Sequence, residues 1–228
     1  MKIKKLISAL VLGSMLVGLS GCNITDFSAE NLLRPPKAVG DEAEIEQLIA
    51  KTADSGYTLK YPKNGKFRSA IIMTDLDGND SNEAVAFFRN SDETSSVHML
   101  VMYSKDNSWE IASDNIFETT DIDSVDFADL TGNGKAEIIV NSTTYTPNVG
   151  KLSCYSYSEG KTTEVGSGQS CSSFVTGDFD NDGTSEIMSL VLYTTENEAL
   201  ASMLDYNEDS KSLYAKAMAN MDPNVVKY

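Results

Sequence analysis

The chain has 228 residues, enough for one large domain or two small ones. Its 34 acidic residues against 18 basic ones give a formal charge of −16, which argues against binding a phosphate backbone such as a nucleic acid. A hydrophobic share of 41% argues against wholesale disorder.

In chain order, an address comes first. MKIKKLISALVLGSMLVGLSGC opens with Lys2, Lys4 and Lys5, continues as an apolar run broken by Gly and Ser, and ends in Leu19-Ser20-Gly21-Cys22. The run is too short and too rich in small residues for a comfortable membrane span. The segment resembles a bacterial lipoprotein signal, and the resemblance implies residues 1–21 as a cleaved signal peptide and Cys22 as the lipidated residue. The alternative is an ordinary cleaved signal with an incidental cysteine. Removal of the three lysines takes the formal charge from −16 to −19. Acyl chains on Cys22 would hold the protein at the cell membrane on its extracytoplasmic face.

Residues 22–40 read as the lipidated cysteine and a polar linker, extended at Pro35-Pro36. Residues 41–55 follow as one short amphipathic helix, with Ile45, Leu48 and Ile49 at i, i+3 and i+4 and acids in the first turn. It is expected to pack on the domain rather than to serve as a binding element.

Residues 56–228 carry a repeat. DLDGNDSNEAV starts at Asp75, DLTGNGKAEII at Asp129 and DFDNDGTSEIM at Asp178. Each copy has an oxygen-bearing side chain at places 1, 3 and 5 and a glutamate at place 9. These sets are Asp75, Asp77, Asn79, Glu83; Asp129, Thr131, Asn133, Glu137; and Asp178, Asp180, Asp182, Glu186. Apolar residues precede each loop and a β-prone run follows each glutamate, so each loop joins two strands. A tyrosine (Tyr103, Tyr157, Tyr206) lies 28 places beyond the first aspartate of every copy, followed by a polar turn and a further strand. Successive loops are 54 and 49 residues apart. Four strands per unit of that length is the signature of a β-propeller blade, so the expected class is all-β, with three blades of four antiparallel strands.

An EF-hand needs a bidentate glutamate at place 12 and flanking helices. Place 12 here is Ala86, Val140 and Ser189, so an EF-hand is rejected. An acid at place 9 between two strands resembles the FG-GAP/VCBS repeat, the calcium-loop blade of integrin-α-like propellers and of many bacterial surface proteins. The resemblance covers roughly residues 58–228. Departures are Asp80 where glycine is expected, Thr131 at place 3, and Glu for Asp at place 9 throughout. Asp80 is expected to adopt the left-handed backbone that place 6 needs.

The resemblance implies structural Ca²⁺ on those twelve side chains, and the physics agrees. Ca²⁺ takes six to eight oxygens at flexible distances, and the place-7 carbonyls (Ser81, Lys135, Thr184) would help complete the shell. Counting acids ranks the loops third, first, second, with the second empty at modest calcium. The alternative is acidic turns that need no metal.

A fourth loop would begin at about residue 227–232 by the same spacing, so the propeller is expected to be incomplete. DPNVVKY reads as the strand leading into it. GYTLKYP, from Gly56 to Pro62, is expected to supply a strand to a last blade in a longer chain. Cys154 and Cys171 could pair outside the cytoplasm, with the balance slightly toward two unpaired, partly buried thiols.

For catalysis the sequence offers little. The one histidine, His98, lies on an expected strand, where a structural role is the more common one, and no Gly-x-Ser-x-Gly elbow, phosphate loop or Cys/His metal cluster occurs. Trp109, after the turn SKDNS, is expected to pack in the core, with SKDNSWE the first candidate surface. The functional expectation is a non-catalytic binding or adhesion module for a protein or glycan at the cell envelope. The alternative is a propeller-based glycan hydrolase or lyase.

Overall fold

The computed structural model describes residues 40–53, 56–146, 148–193 and 197–222. The expected signal peptide, Cys22, the expected linker before Gly40 and the part of the expected DPNVVKY strand beyond Asp222 lie outside the described residues. No helix among the described residues is long and apolar enough to cross a membrane.

Among the described residues the architecture is all-β with one short helix, α1 (Asp41–Ala53). The first sheet holds β1 (Tyr57–Leu59), β2 (Ile71–Thr74), β3 (Glu83–Asn90), β4 (Val97–Lys105) and β5 (Ser108–Phe117). The second is β6 (Ile122–Ala128), β7 (Glu137–Thr143), β8 (Gly150–Ser158) and β9 (Lys161–Cys171). The third is β10 (Ser173–Gly177), β11 (Glu186–Tyr193), β12 (Glu198–Asn207) and β13 (Ser212–Met221). In each, four strands (β2–β5, β6–β9 and β10–β13) form an antiparallel meander in sequence order, the expected blade, and β1 adds to the first beside β2 on the edge of β3; among the described residues the three blades form no closed barrel.

The second strand of each blade begins at its place-9 glutamate, Glu83, Glu137 or Glu186. β3 and β7 are buried along nearly their whole length because both faces are covered. Between the first two blades, Val85, Phe87, Met99 and Val101 pack against Val125, Ile138, Val140 and Tyr155. Between the second and third, Ile139, Leu152 and Cys154 meet Ile187, Leu204 and Leu213. The outer strands β5, β9 and β13 are mostly exposed. Two-residue turns close two outer hairpins, Asp106-Asn107 and Glu159-Gly160, all four residues at φ between 52° and 72°. That is the left-handed pair whose twist suits a tight hairpin.

The helix behaves as its pattern implies. Acids in its first turn and Lys51 in its last complement the helix dipole. Ile45, Ile49 and Ala53 are buried against Ala84, Ala86, Phe88, Leu100 and Met102, covering the face of the first blade turned away from the second. Burying each isoleucine contributes about 2 kcal/mol. Trp109 is 9% exposed in that same cluster, so it is core, as expected from its position.

One expectation is corrected. The GYTLKYP strand does not complete a last blade: its β1 pairs with β3 of the first, Leu59 opposite Phe88. β2 continues along the same edge, Ile71 opposite Ala86. Between them, Lys60 N–H donates to the Phe87 carbonyl (2.9 Å), and Phe87 N–H donates to the Ala70 carbonyl (2.8 Å). The local composition of GYTLKYP marks a strand, but pairing partners are a tertiary choice. The excursion between β1 and β2 reaches the second blade. There Lys63 and Asn64 N–H donate to the carbonyls of Ile122 and Asp123, and Phe67 meets Phe127 edge-on at 4.9 Å.

Cys154 and Cys171 are both buried and unbridged. Burial pushes the Cys171 thiol up to about 12 and that of Cys154 higher still, so neither is a nucleophile at neutral pH.

Candidate metal centre

The three loops share one backbone. The place-1 carboxylate gathers amides from across the turn. In the first loop, Asp75 Oδ1 accepts from Gly78 N–H (2.8 Å) and Asn79 N–H (3.2 Å), and Oδ2 from Asp80 N–H (2.9 Å). Asp129 and Asp178 do the same with Asn133 and Gly134, and with Asp182 and Gly183. The place-5 side chain turns back to the place-7 amide: Asn79 to Ser81, Asn133 to Lys135, Asp182 to Thr184.

These bonds need positive φ at two places. Place 6 is Asp80 (65°), Gly134 (79°) and Gly183 (94°), so Asp80 does take the left-handed backbone. Place 4 is Gly78 (72°), Gly132 (70°) and Asn181 (60°), a requirement the place-6 argument missed. Its sequence signal was present, since Gly, Gly and Asn are the residues that accept it most readily.

The place-9 glutamates are the buried members, at 3%, 0% and 0% exposure. In every loop one carboxylate oxygen accepts from the place-2 amide at 2.8 Å: Leu76 to Glu83, Leu130 to Glu137, Phe179 to Glu186. The other oxygen separates the loops. Glu137 Oε1 accepts from the Thr131 hydroxyl (3.2 Å), and its Oε2 also takes the Thr131 N–H (3.3 Å). Glu186 Oε1 is buried and has no hydrogen-bond partner, and in the first loop Asp77 Oδ1 is in the same condition. Buried polar atoms are almost always satisfied, so an orphaned carboxylate oxygen facing other carboxylates fits a cation-binding site.

The geometry agrees. Ligand atoms of Asp178, Asp180, Asp182 and Glu186 lie within 4.8 Å of one another, as do those of Asp75, Asp77 and Glu83. These two clusters could hold a metal ion. The second loop, with Asp129, Thr131, Asn133 and Glu137, forms no such acidic cluster, and its glutamate is closed by the threonine at place 3.

The electrostatics follow. Burial raises Glu83 above its ordinary value, against the Leu76 amide and with help from the charges of Asp77 and Asp75. Burial also raises Glu137, against the bonds from Leu130 and Thr131. On Asp75, desolvation is outweighed by the amides of Asp80, Gly78 and Asn79, which hold it below the ordinary carboxylate range. The Thr184 hydroxyl and amide hold Asp182 low in the same way.

One neighbour could not be placed from sequence. Lys216, on β13, pairs with Asp180 and with Asp205 (2.9 Å). The third loop therefore sees four acids and one ammonium, which narrows its margin over the first.

The loops also touch each other in order. Ala136 N–H donates to the Leu76 carbonyl (3.0 Å), and Ser185 N–H to the Asp129 carbonyl (2.8 Å). The repeated tyrosines join in. Tyr157 is pushed up to about 12 by burial, then by the charges of Glu83 and Asp77 in the preceding loop. Tyr206 is raised by burial, then by Glu208 and by Glu137. The spacing of 28 thus sets Tyr157 and Tyr206 near the loop of the blade before, whereas Tyr103, in the first blade, donates its hydroxyl to Glu110 (2.6 Å).

His98 is structural. It lies on β4 with a 5% exposed side chain, stacks on Phe88 at 4.9 Å, and is held between Asp114 (Nδ1, 2.9 Å) and Glu93 (Nε2, 3.0 Å). Burial opposes the imidazolium, but the two carboxylates outweigh it and raise His98 above its ordinary value.

Compared with known proteins, the sequence matches no family model and no curated protein at a significant level.

Proposed function

We propose that this chain is a lipid-anchored, calcium-stabilised blade assembly of the FG-GAP/VCBS kind, a non-catalytic binding module at the outer face of the cell membrane. The observation that carries the metal part is Glu186 Oε1, buried and unpartnered beside Asp178, Asp180 and Asp182. The donors are all oxygens, which suits a hard cation. They come from a flexible turn rather than a rigid octahedral cage, which favours Ca²⁺ over Mg²⁺. The role is structural. A cation at each cluster offsets carboxylate repulsion and pins a strand-to-strand turn that is hydrogen-bonded to its neighbour. Two cations are expected, at the third and first loops, with the second loop closed by Thr131. The Leu-Ser-Gly-Cys box supports the anchor, and the anchor implies the location.

The test is isothermal titration of the protein with CaCl₂, MgCl₂ and ZnCl₂ after EDTA treatment. Two calcium equivalents, weak magnesium and no specific zinc binding are expected. Loss of one equivalent in Asp178→Ala and of the other in Asp75→Ala would place them. No calcium heat at millimolar concentration would reduce the loops to acidic turns and overturn the metal reading.

A further inference from the structure

At the end of the second blade away from its loop lies a recess that the cation sites do not explain. It has a volume of about 370 Å³, and Asn64, Asp123, Asn141, Thr143, Asn148 and Ser172 line it. Among the described residues its lining holds no lysine or arginine and a single carboxylate.

The polar groups are fixed in place. Asp123 accepts from Asn64 Nδ2 (2.9 Å), from the Ser124 hydroxyl (3.0 Å) and from Asn141 Nδ2 (3.3 Å). Asn141 is 1% exposed, and its Nδ2 also donates to the Cys171 carbonyl (3.4 Å). Those two acceptors settle the amide's orientation, because turning it over would set oxygen against oxygen. The remaining atom, Asn141 Oδ1, is buried and has no partner. Gly150, another lining residue, leaves it room: a Cβ there would sit 2.3 Å from that oxygen. The Ser172 hydroxyl accepts from Leu192 N–H (2.8 Å), which leaves its own proton to donate. Tyr145 does not line the recess, but it lies in the loop between Thr144 and Thr146, both of which do, and its side chain is 93% exposed.

We propose that this recess binds one neutral pyranose ring, the end of a glycan. An anionic ligand would meet Asp123 with no cation to balance it. A hydroxyl-rich ring offers donors to Asn141 Oδ1 and Asp123 and an acceptor to Ser172. The apolar face of such a ring fits an exposed aromatic plane, and an amphipathic tyrosine supplies one. A cavity of this volume lies at the small end of the ligand-pocket range and suits one ring rather than a chain. The proposal rests on the binding-module reading and names the ligand class and the place.

The experiment is saturation-transfer difference NMR on the calcium-loaded full chain. The probes are the methyl pyranosides of glucose, galactose, mannose and N-acetylglucosamine at millimolar concentration. Transfer from at least one of them is expected. In Tyr145→Ala, a change at a fully exposed side chain, affinity should fall about tenfold or more with the melting curve unchanged. Asn141→Leu should abolish binding. Transfer that survives Tyr145→Ala at full strength overturns this site while leaving the module reading intact. No transfer from any pyranoside also overturns it. Binding of the same sample to cell-envelope fractions then decides the module reading separately.

Discussion

The second and third loops have nearly superposable hydrogen-bond patterns and opposite ways of settling a buried glutamate. Glu137 spends both oxygens on protein donors, Leu130 N–H, Thr131 N–H and the Thr131 hydroxyl. Glu186 binds the Phe179 amide with one oxygen and leaves the other unpartnered among three aspartates. One residue type at place 3 makes the difference. A hydroxyl there donates to the glutamate, whereas an ionised carboxylate cannot and leaves room for a cation between them. The same turn thus exists in a self-sufficient form and in a form whose acidic cluster could hold a metal ion, side by side and joined by the Ser185-to-Asp129 hydrogen bond.

The largest test of that contrast is the melt itself. Calcium at a hundredfold excess over Kd should add about 2.7 kcal/mol per filled site by linkage to the native state. Tm should rise by several degrees or more relative to EDTA, and Asp178→Ala with Asp75→Ala should erase the rise.

Glu137→Ala should come next. It strands the Leu130 and Thr131 amides and leaves a cavity, costing about 3 kcal/mol in chemical denaturation, by the same amount in calcium and in EDTA. A calcium-dependent loss would show that the second loop holds metal after all.

Thr131→Asp converts the self-sufficient loop to the acidic form. Without calcium it should lose about 1–2 kcal/mol, because the hydroxyl donor is gone and a like charge faces Glu137. With calcium the titration should gain a third equivalent.

Lys216→Met removes the ammonium that pairs with Asp180, and should tighten calcium at the third loop roughly threefold to tenfold, more at low salt than at high. The first loop's affinity should not change.

The smallest effect lies away from the loops and should be the same with and without calcium. His98 is raised above its ordinary 6.5, so its contribution is present below that pH and is lost as pH rises through the folded value. Glu93 is lowered from 4.5, chiefly by the Ser96 hydroxyl, then Asn90 and His98, so its contribution is lost as pH falls through its folded value. Stability profiles of the wild type and His98→Gln should therefore differ most between those two ordinary values. Profiles that coincide would sink the ion-clamp account.

Much of this was legible early because the repeat is local. Offsets of 8 and 28 follow from one loop and one hairpin per blade, and strand alternation writes both into the sequence. The helix could be read because Ile45 and Ile49 share a face, and Trp109 because it follows a turn into an apolar cluster. Other features could not be read. Counting acids set the second loop apart, but the Thr131 hydroxyl that donates to Glu137 could not be read from that count. The count also missed Lys216, which arrives from β13, 36 residues from Asp180. GYTLKYP was a recognisable strand with no recognisable partner.

What the sequence determined by itself is whatever a single blade contains: strand order, the two left-handed positions of each turn, and the oxygen donors at fixed places. These depend on neighbours within a few dozen residues and on backbone preferences that side chains carry with them. The tertiary structure alone decided what sits between blades. It placed the helix over the first blade's free face, β1 on β3, Lys216 on Asp180, and Asn64 against Asp123 beside the buried oxygen of Asn141. Those contacts join residues far apart in the chain, and no local periodicity records them, because packing selects partners by shape and charge in three dimensions.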